Sequence, residues 1–377
     1  MSAEYRIYSR NPDLTRNSEI TRYKRLEFIS RFCLGGSWTL SGEGDLPLSV
    51  NQGIIIVRND VEVFSGVVQE LETAMDAESF LSRSWTFKGK DDLARIGDRV
   101  AVPDPVGWNF STAAYDTRTG LAEAVILEFV DYNCGPSAIE RRRLPNFQVG
   151  ASSGLGLTVT GNARFDNLLT LIYNLAQMGG VGYRVRYDST LGRLVFEVFE
   201  PTDRTTEVKF SADFGNLQSF KHKLRAPKAN YAIVLGQGEG SSRSNVCVYD
   251  NNSISTWGLV EMMKDQRNEP DSAKLQNWGE AELEKKKEQE GYTIVPNELG
   301  GVGFTYGVDY FLGDLVSVAD EAVVLQETVT EVKFSIDEDG EEKIVPTIGS
   351  LKDIPLSNTF ERIEDLTDRV NQIETSQ

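Results

Sequence analysis

The stretch Gly53-Ile-Ile-Ile-Val-Arg58, Asn59-Asp60, Val61-Glu-Val-Phe64 constrains the fold of this chain more than any other. Two runs rich in β-branched residues flank a two-residue turn. Asn and Asp tolerate the left-handed backbone that a tight hairpin needs, so the pattern predicts antiparallel strands in this register. Gly66-Val-Val68 continues the second arm. Around it, Tyr5–Tyr8, Leu26–Phe32, Gly36–Leu40 and Ser84–Lys88 read as further short strands. Strands at this spacing suggest a small barrel or sandwich.

After Val102-Pro103-Asp104-Pro105 the pattern changes. Leu121–Tyr132 is apolar and ends at Gly135, as a buried helix with a glycine stop would. A second helix is expected over Ala163–Met178, with Asn162 as N-cap and Gly179-Gly180 as its stop. Tyr183–Tyr187 and Arg193–Phe199 predict a hairpin, which makes this section α+β rather than βαβ. From Val208 the chain returns to β at Val208–Phe210, Asn230–Leu235 and Asn245–Tyr249. A polar helix over Ala273–Glu290 follows, its charges read as a solvated face. Gly313–Val318, Glu321–Phe334 and Lys343–Val345 are the last strands.

Composition narrows the chemistry. With 39 basic and 57 acidic residues the formal charge is −18, which opposes wrapping nucleic acid, because that affinity rests on cations neutralising phosphates. Cys33, Cys134 and Cys247 form no paired motif, so three buried or half-buried free thiols are expected rather than disulfides or a zinc site. His222 is the only histidine, and it sits in the alternating basic stretch Ser219-Phe-Lys-His-Lys-Leu-Arg225 with no acidic orienter nearby in sequence. An ordinary strand histidine fits better than a catalytic one. The acidic turn Asp337–Glu342 lacks the ligand spacing of a calcium loop and reads as an exposed hairpin turn. The opening residues carry no basic-then-apolar signal, and no run approaches about 18 apolar residues. Synthesis in a cytosol without a membrane span is therefore expected.

Gly150-Ala-Ser-Ser-Gly154-Leu-Gly156 reads like the glycine-rich turn of short-chain dehydrogenases. That turn binds a dinucleotide only when a buried strand delivers it and a helix opens directly after it. Here Arg141–Val149 holds too little apolar sequence for a central strand, and Leu157-Thr-Val-Thr160 is strand-like. None of the 13 tyrosines has the lysine four residues on that such enzymes use; Tyr115 has Thr119, Tyr173 has Gln177, Tyr183 has Tyr187 and Tyr231 has Leu235. The loop is expected to hold no ligand, and no cofactor or metal is expected. Leu235–Arg243 is a second glycine cluster, and it runs into another strand, so it reads as a hairpin loop.

The order of elements carries a further signal. It lies in "YRIYSRNPDLTRNSEITRYKRLEFISRFCLGGSWTL", "GIIIVRNDVEVFSGVV", "ANYAIVLGQGEGSSR", "YFLGDLVSV" and "TVTEVKFSIDEDGEEKIVPTIG". Over about residues 4–350 these segments resemble the phage tail-tip hub family, which is related to the baseplate hub protein of contractile tails and to the N-terminal part of siphophage tail-associated lysins. The resemblance implies a mainly β chain with an α+β insertion: two small hub-type β-barrels in tandem, built from discontinuous domains. Three copies would then supply six barrels to a sixfold tail tube. On that basis the expected division is a first barrel over 1–102, the α+β insertion over 103–205, a second barrel region with the polar helix over 206–300, completing strands over 301–352 and a coiled-coil segment over 353–377. The implied partners are its own copies in a homotrimer, the distal tail protein ring, the tape-measure protein, downstream fibre or receptor-binding proteins, and DNA passing through without specific binding. The implied place is the virion tail tip, with assembly in the cytoplasm of the bacterial host.

At the end of the chain, Ile363, Leu366, Val370 and Ile373 recur at 3-4-3 spacing, the seam of a coiled coil. Two heptads are too short to associate unaided, so the seam would be nucleated by an already oligomeric body or continue in another protein; the other reading is a single amphipathic helix lying on its own domain. The leading expectation is a structural hub without catalysis. Its rivals are a peptidoglycan hydrolase, for which no carboxylate pair can be singled out, and a receptor or carbohydrate binder. For the latter, Trp38, Trp85, Trp108, Trp257 and Trp278 are scattered and read better as packing residues.

Overall fold

A computed structural model describes residues 3–75, 83–111, 113–267, 269–296, 303–320 and 323–349. The chain divides into two compact units, one formed by Met1–Ser219 with Ile294–Ile348 and the other containing Phe220–Thr293.

The first unit is built on β1 (Tyr5–Arg10), β2 (Arg16–Glu19), β3 (Arg25–Arg31), β4 (Leu34–Glu43), β5 (Gly53–Arg58), β6 (Val61–Met75) and β7 (Arg83–Asp91). The Asn59-Asp60 turn lies between β5 and β6, both residues left-handed with φ of 49° and 61°. The backbone therefore takes the conformation the sequence asked for. Strands Val323–Asp337 and Glu342–Gly349 return from the end of the unit and join this sheet. Hydrogen-bonded neighbours run Glu342–Gly349, Val323–Asp337, β3, β4, β7, β6, β5, β1, β2. Val323–Asp337 is long enough to serve twice, pairing Leu315–Asp320 through its first half and β3 through its second.

Ring positions show that this sheet curls. Phe28 on β3 stacks on Phe334, its direct cross-strand partner, at 4.4 Å and 6°. It also reaches Phe64 on β6 at 5.2 Å and Tyr5 on β1 at 6.5 Å. β6 is three strands away along the ladder, about 14 Å in a flat sheet. Only a strongly coiled sheet brings these rings together. Strands far apart along this path then meet through side chains: Arg58 holds Glu342 at 2.7 and 2.8 Å, and the Tyr5 hydroxyl donates to the same carboxylate. Among the described residues the backbone pairing remains an open path, so the join is made by side chains and not by a closed hydrogen-bonded ring.

Trp38 and Trp85 are buried on this sheet, opposite Gly89 and Gly42 in register. A Cβ on either glycine would fall 2.4 or 2.3 Å from the facing indole, so these glycines make room for the rings. Arg10 and Asp92, both 1% exposed, form a bidentate pair at 2.7 and 2.8 Å. Ser65 also donates to Asp92 at 2.6 Å.

The α+β section of the same unit contains α1 (Ala94–Gly97), α2 (Ala122–Cys134) and α3 (Leu168–Gly179). α2 and α3 pack on each other, with Phe129, Ile126, Ile172 and Leu175 fully or nearly fully buried. The α3 helix begins later than Ala163: Thr158–Ala163 pairs with Asp116–Leu121 as a strand. The true N-cap is Asn167, whose side chain accepts from the Thr170 amide at 3.1 Å, rather than Asn162. The hairpin Gly182–Asp188/Arg193–Phe199 stands as expected, with Phe147–Val149 added parallel to it.

In the second unit, strands Asn245–Tyr249, Tyr231–Leu235 and Glu261–Asp265 form a sheet. Helix Ser272–Lys286 covers one face, burying Leu275 and Leu283 with Ala232 and Val234. This helix is polar but not wholly solvated, and it stops at Lys286 because Gln289–Pro296 is a strand. Leu217–Arg225 lies beside that strand.

Candidate functional site

The glycine loop was the one stretch of sequence that suggested chemistry. α2 precedes it in sequence and turns its N-terminus towards it. The Ala122 amide donates to the Leu157 carbonyl at 2.9 Å and the Glu123 amide to Leu155 at 3.3 Å. Helix donors that would face a pyrophosphate in a dinucleotide fold therefore meet loop carbonyls. The loop's own donors are also taken. One oxygen of Glu123, which is buried, accepts from the Ser152 hydroxyl at 3.0 Å and from the Ser153 and Leu155 amides at 2.8 and 2.9 Å. Burial opposes this charge, but the hydrogen bonds from Leu155, Ser152 and Ser153 outweigh it and hold the carboxyl below the usual range. Gly154 and Gly156 are left-handed, at φ 79° and 81°. A Cβ on Gly156 would lie 2.7 Å from Val181 and 2.8 Å from the Gly179 carbonyl. The cradle is thus filled by a carboxylate of the chain itself. The cleft of about 360 Å³ beside it is lined by Glu128, Asp131, Gln148 and Gly150, an acidic setting that repels phosphate.

Other residues singled out from the sequence are spread through the molecule. His222 Nε2 lies 2.8 Å from Glu290 at the surface. Sequence proximity gave no sign of this partner, because strand pairing brings it from 68 residues away. Cys33 and Cys134 are buried, which pushes both thiols up to about 12, whereas Cys247 is exposed, contrary to the expectation of a buried or half-buried thiol. Asp337 accepts the amides of Asp339 and Glu341 at 3.1 and 2.9 Å, so its carboxylate shapes the acidic turn. Among the described residues no group of three or more ligand side chains could hold a metal ion, and no helix is long and apolar enough to cross a membrane. Ile363, Leu366, Val370 and Ile373 lie outside the described residues.

One surface went unnoticed in the sequence. Trp108 and Phe165, 37% and 41% exposed, are joined through Phe110 at centroid distances of 4.9 and 5.3 Å. Both exposed rings sit on left-handed backbone, with φ of 53° and 64°. Such a conformation costs a bulky residue about 1–3 kcal/mol and gathers at functional surfaces. Asp104 fixes the Trp108 turn by accepting from the Gly107 and Asn109 amides at 2.7 and 3.1 Å. The Arg141 and Arg142 guanidiniums lie 4.6 and 5.1 Å from the Trp108 ring, and Arg164 lies 5.6 Å from Phe165. A Trp108 ring already stacked by guanidinium is a poor sugar platform. Trp38 and Trp85 are core residues, as expected.

Residues 4–350 match the family model described as siphovirus ReqiPepy6 Gp37-like protein. The fold is similar to the 43 kDa tail protein of prophage MuSo2 from Shewanella oneidensis, with a TM-score of 0.58 at 14% identity over 92% of this chain and 98% of that one. It is similar also to the tail protein of Neisseria meningitidis MC58 (TM-score 0.55, 13% identity, 92% and 97% covered). The prophage tail protein gp18 of Listeria monocytogenes EGD-e gives a TM-score of 0.53 at 14% identity, with 96% and 99% covered. No curated protein matches the chain in sequence. The fold is thus that of phage tail proteins, and the chain belongs to the siphovirus ReqiPepy6 Gp37-like protein family.

Proposed function

We propose that this protein is the structural hub of a phage tail tip: a homotrimer that closes the tail tube, connects it to the distal tail ring, the tape-measure protein and downstream fibres, and forms part of the path of the DNA. The family match over residues 4–350 carries the reading, since it takes in both compact units. The coiled sheet joined through Arg58, Tyr5 and Glu342 supports a barrel-like module of the kind a tube layer requires. A formal charge of −18 suits a channel that a duplex crosses without counterion-release binding. The role requires no catalytic chemistry, and the carboxylate-filled glycine loop supports a non-enzymatic reading. The test is the mass of the purified full chain by sedimentation, paired with a cell-wall clearing assay. A species of about three times 42.0 kDa that clears nothing is expected; a monomer that degrades peptidoglycan contradicts the proposal.

A further inference from the structure

The aromatic ridge has a second property, which concerns charge. Arg141, Arg142 and Arg164 flank it, Arg99 bonds to Arg142, and among the described residues none of the four has a carboxylate within ion-pair distance. Their hydrogen bonds go to neutral groups instead: Arg99 to the Arg142 carbonyl at 3.4 Å, Arg142 to Asn133 and the Val100 carbonyl, and Arg164 to the Ala114 carbonyl at 2.8 Å. Burial, together with the charges of Arg99 and Arg141, makes Arg142 harder to keep protonated. In a chain with 57 acidic residues, four guanidiniums without an ion-pair partner leave a positive field over the ridge, which the Asp104 and Asp166 carboxylates bonded to backbone amides beside it offset only in part.

The same unit carries the opposite feature. The turn that follows Val323–Asp337 presents Glu338, Asp339 and Glu341, all exposed and none ion-paired to a cation among the described residues. Its backbone is fixed by the Asp337 carboxylate and by Gly340 at φ 77°. Two rigid, complementary patches that do not pair within one copy can be satisfied together between two copies. Such a contact is heterologous, and heterologous contacts generate rings when the rotation closes.

We propose that the Trp108–Phe110–Phe165 ridge, with Arg141 and Arg164 at its two ends, receives the acidic turn Glu338–Glu341 of a second copy of this chain in a head-to-tail contact. This rests on the trimeric reading above and names the faces through which the copies meet. Nucleic acid is the other polyanion such a patch could take, but the chain's net charge of −18 opposes its approach and favours an acidic turn held in a fixed contact.

A charge-swap experiment on the full chain tests the contact, with sedimentation as readout and circular dichroism confirming that each variant folds. Arg141→Glu with Arg164→Glu, or Glu338→Lys with Asp339→Lys and Glu341→Lys, should each weaken self-association at least about tenfold. Rising salt should weaken the wild-type assembly in the same direction. Mixing the two variants, or combining all five substitutions in one chain, should restore the assembly. If the wild type is oligomeric and folded variants of either set keep its mass, the named contact is wrong and the hub reading stands. If restoration fails after both sets dissociate, the pairing of these two patches is likewise wrong. A wild type that is monomeric at every concentration removes the trimer, and this contact with it.

Discussion

Two carboxylates show how local surroundings decide a charge. Glu123 is held below its usual range, so its stabilising effect is complete above the unfolded value of about 4.5 and is lost as pH falls through the lower folded value. Acid unfolding of Glu123→Gln should accordingly be less steep below about pH 4.5 than that of the wild type, and at pH 7 the variant should be about 1–3 kcal/mol less stable. Asp91 also accepts two backbone amides, from Gly36 at 2.7 Å and Ala94 at 3.1 Å. Burial, aided by the neighbouring Asp92 charge, nonetheless pushes it up to about 7. The folded protein then binds the proton more tightly than the unfolded chain does, so stability falls as pH rises from about 4 to about 7. Asp91→Asn should remove that decline, measurable by urea titration at a series of pH values. Glu123 was not legible in the sequence: no spacing rule links a residue at the start of α2 to a loop some thirty positions on. What could be read was that the loop lacked a following helix, which argued against a dinucleotide cradle. The left-handed Trp108 and Phe165 were illegible for the opposite reason, since bulky side chains ordinarily avoid that backbone.

Among the elements, the hairpin at Asn59-Asp60 was readable because the turn and both arms are local. The start of α3 was misplaced because Phe165 continues the apolar periodicity of Leu168, Leu169, Ile172 and Leu175, while the strand state of Ala163 depends on its pairing with Asp116, far upstream. The curl of the large sheet was similarly beyond local reading, since Arg58 and Glu342 lie 284 positions apart. That join is predicted to be energetically significant. Glu342→Gln leaves Arg58 and Tyr5 with a weaker acceptor in a part-buried site and should lower unfolding free energy by about 2–3 kcal/mol. An unchanged urea midpoint would mean that these strands are held together by packing alone. The Gly179 side of α3 offers a packing test. A Cβ there would come within 2.1 Å of the Ala122 Cβ, so Gly179→Ala should cost about 1–3 kcal/mol by overpacking the α2–α3 contact.

For the whole molecule, the succession of β, α+β and β segments was enough to suggest the tail-protein family, although no catalytic motif marks it. The arginine-flanked ridge was not legible, because Trp108, Phe165, Arg141 and Arg164 are brought together from positions distant in sequence. The seam residues Ile363 and Leu366 provide a separate lever: replacing both by Asp is expected to shift the trimer towards monomer on dilution, and unchanged mass at every concentration would remove the seam from the assembly. The central claim, a ring-forming hub, is tested most directly by electron-microscopic class averages of the purified full chain. A threefold ring around an opening wide enough for a DNA duplex is expected. Isolated single copies, or assemblies without threefold symmetry and a central opening, would contradict it.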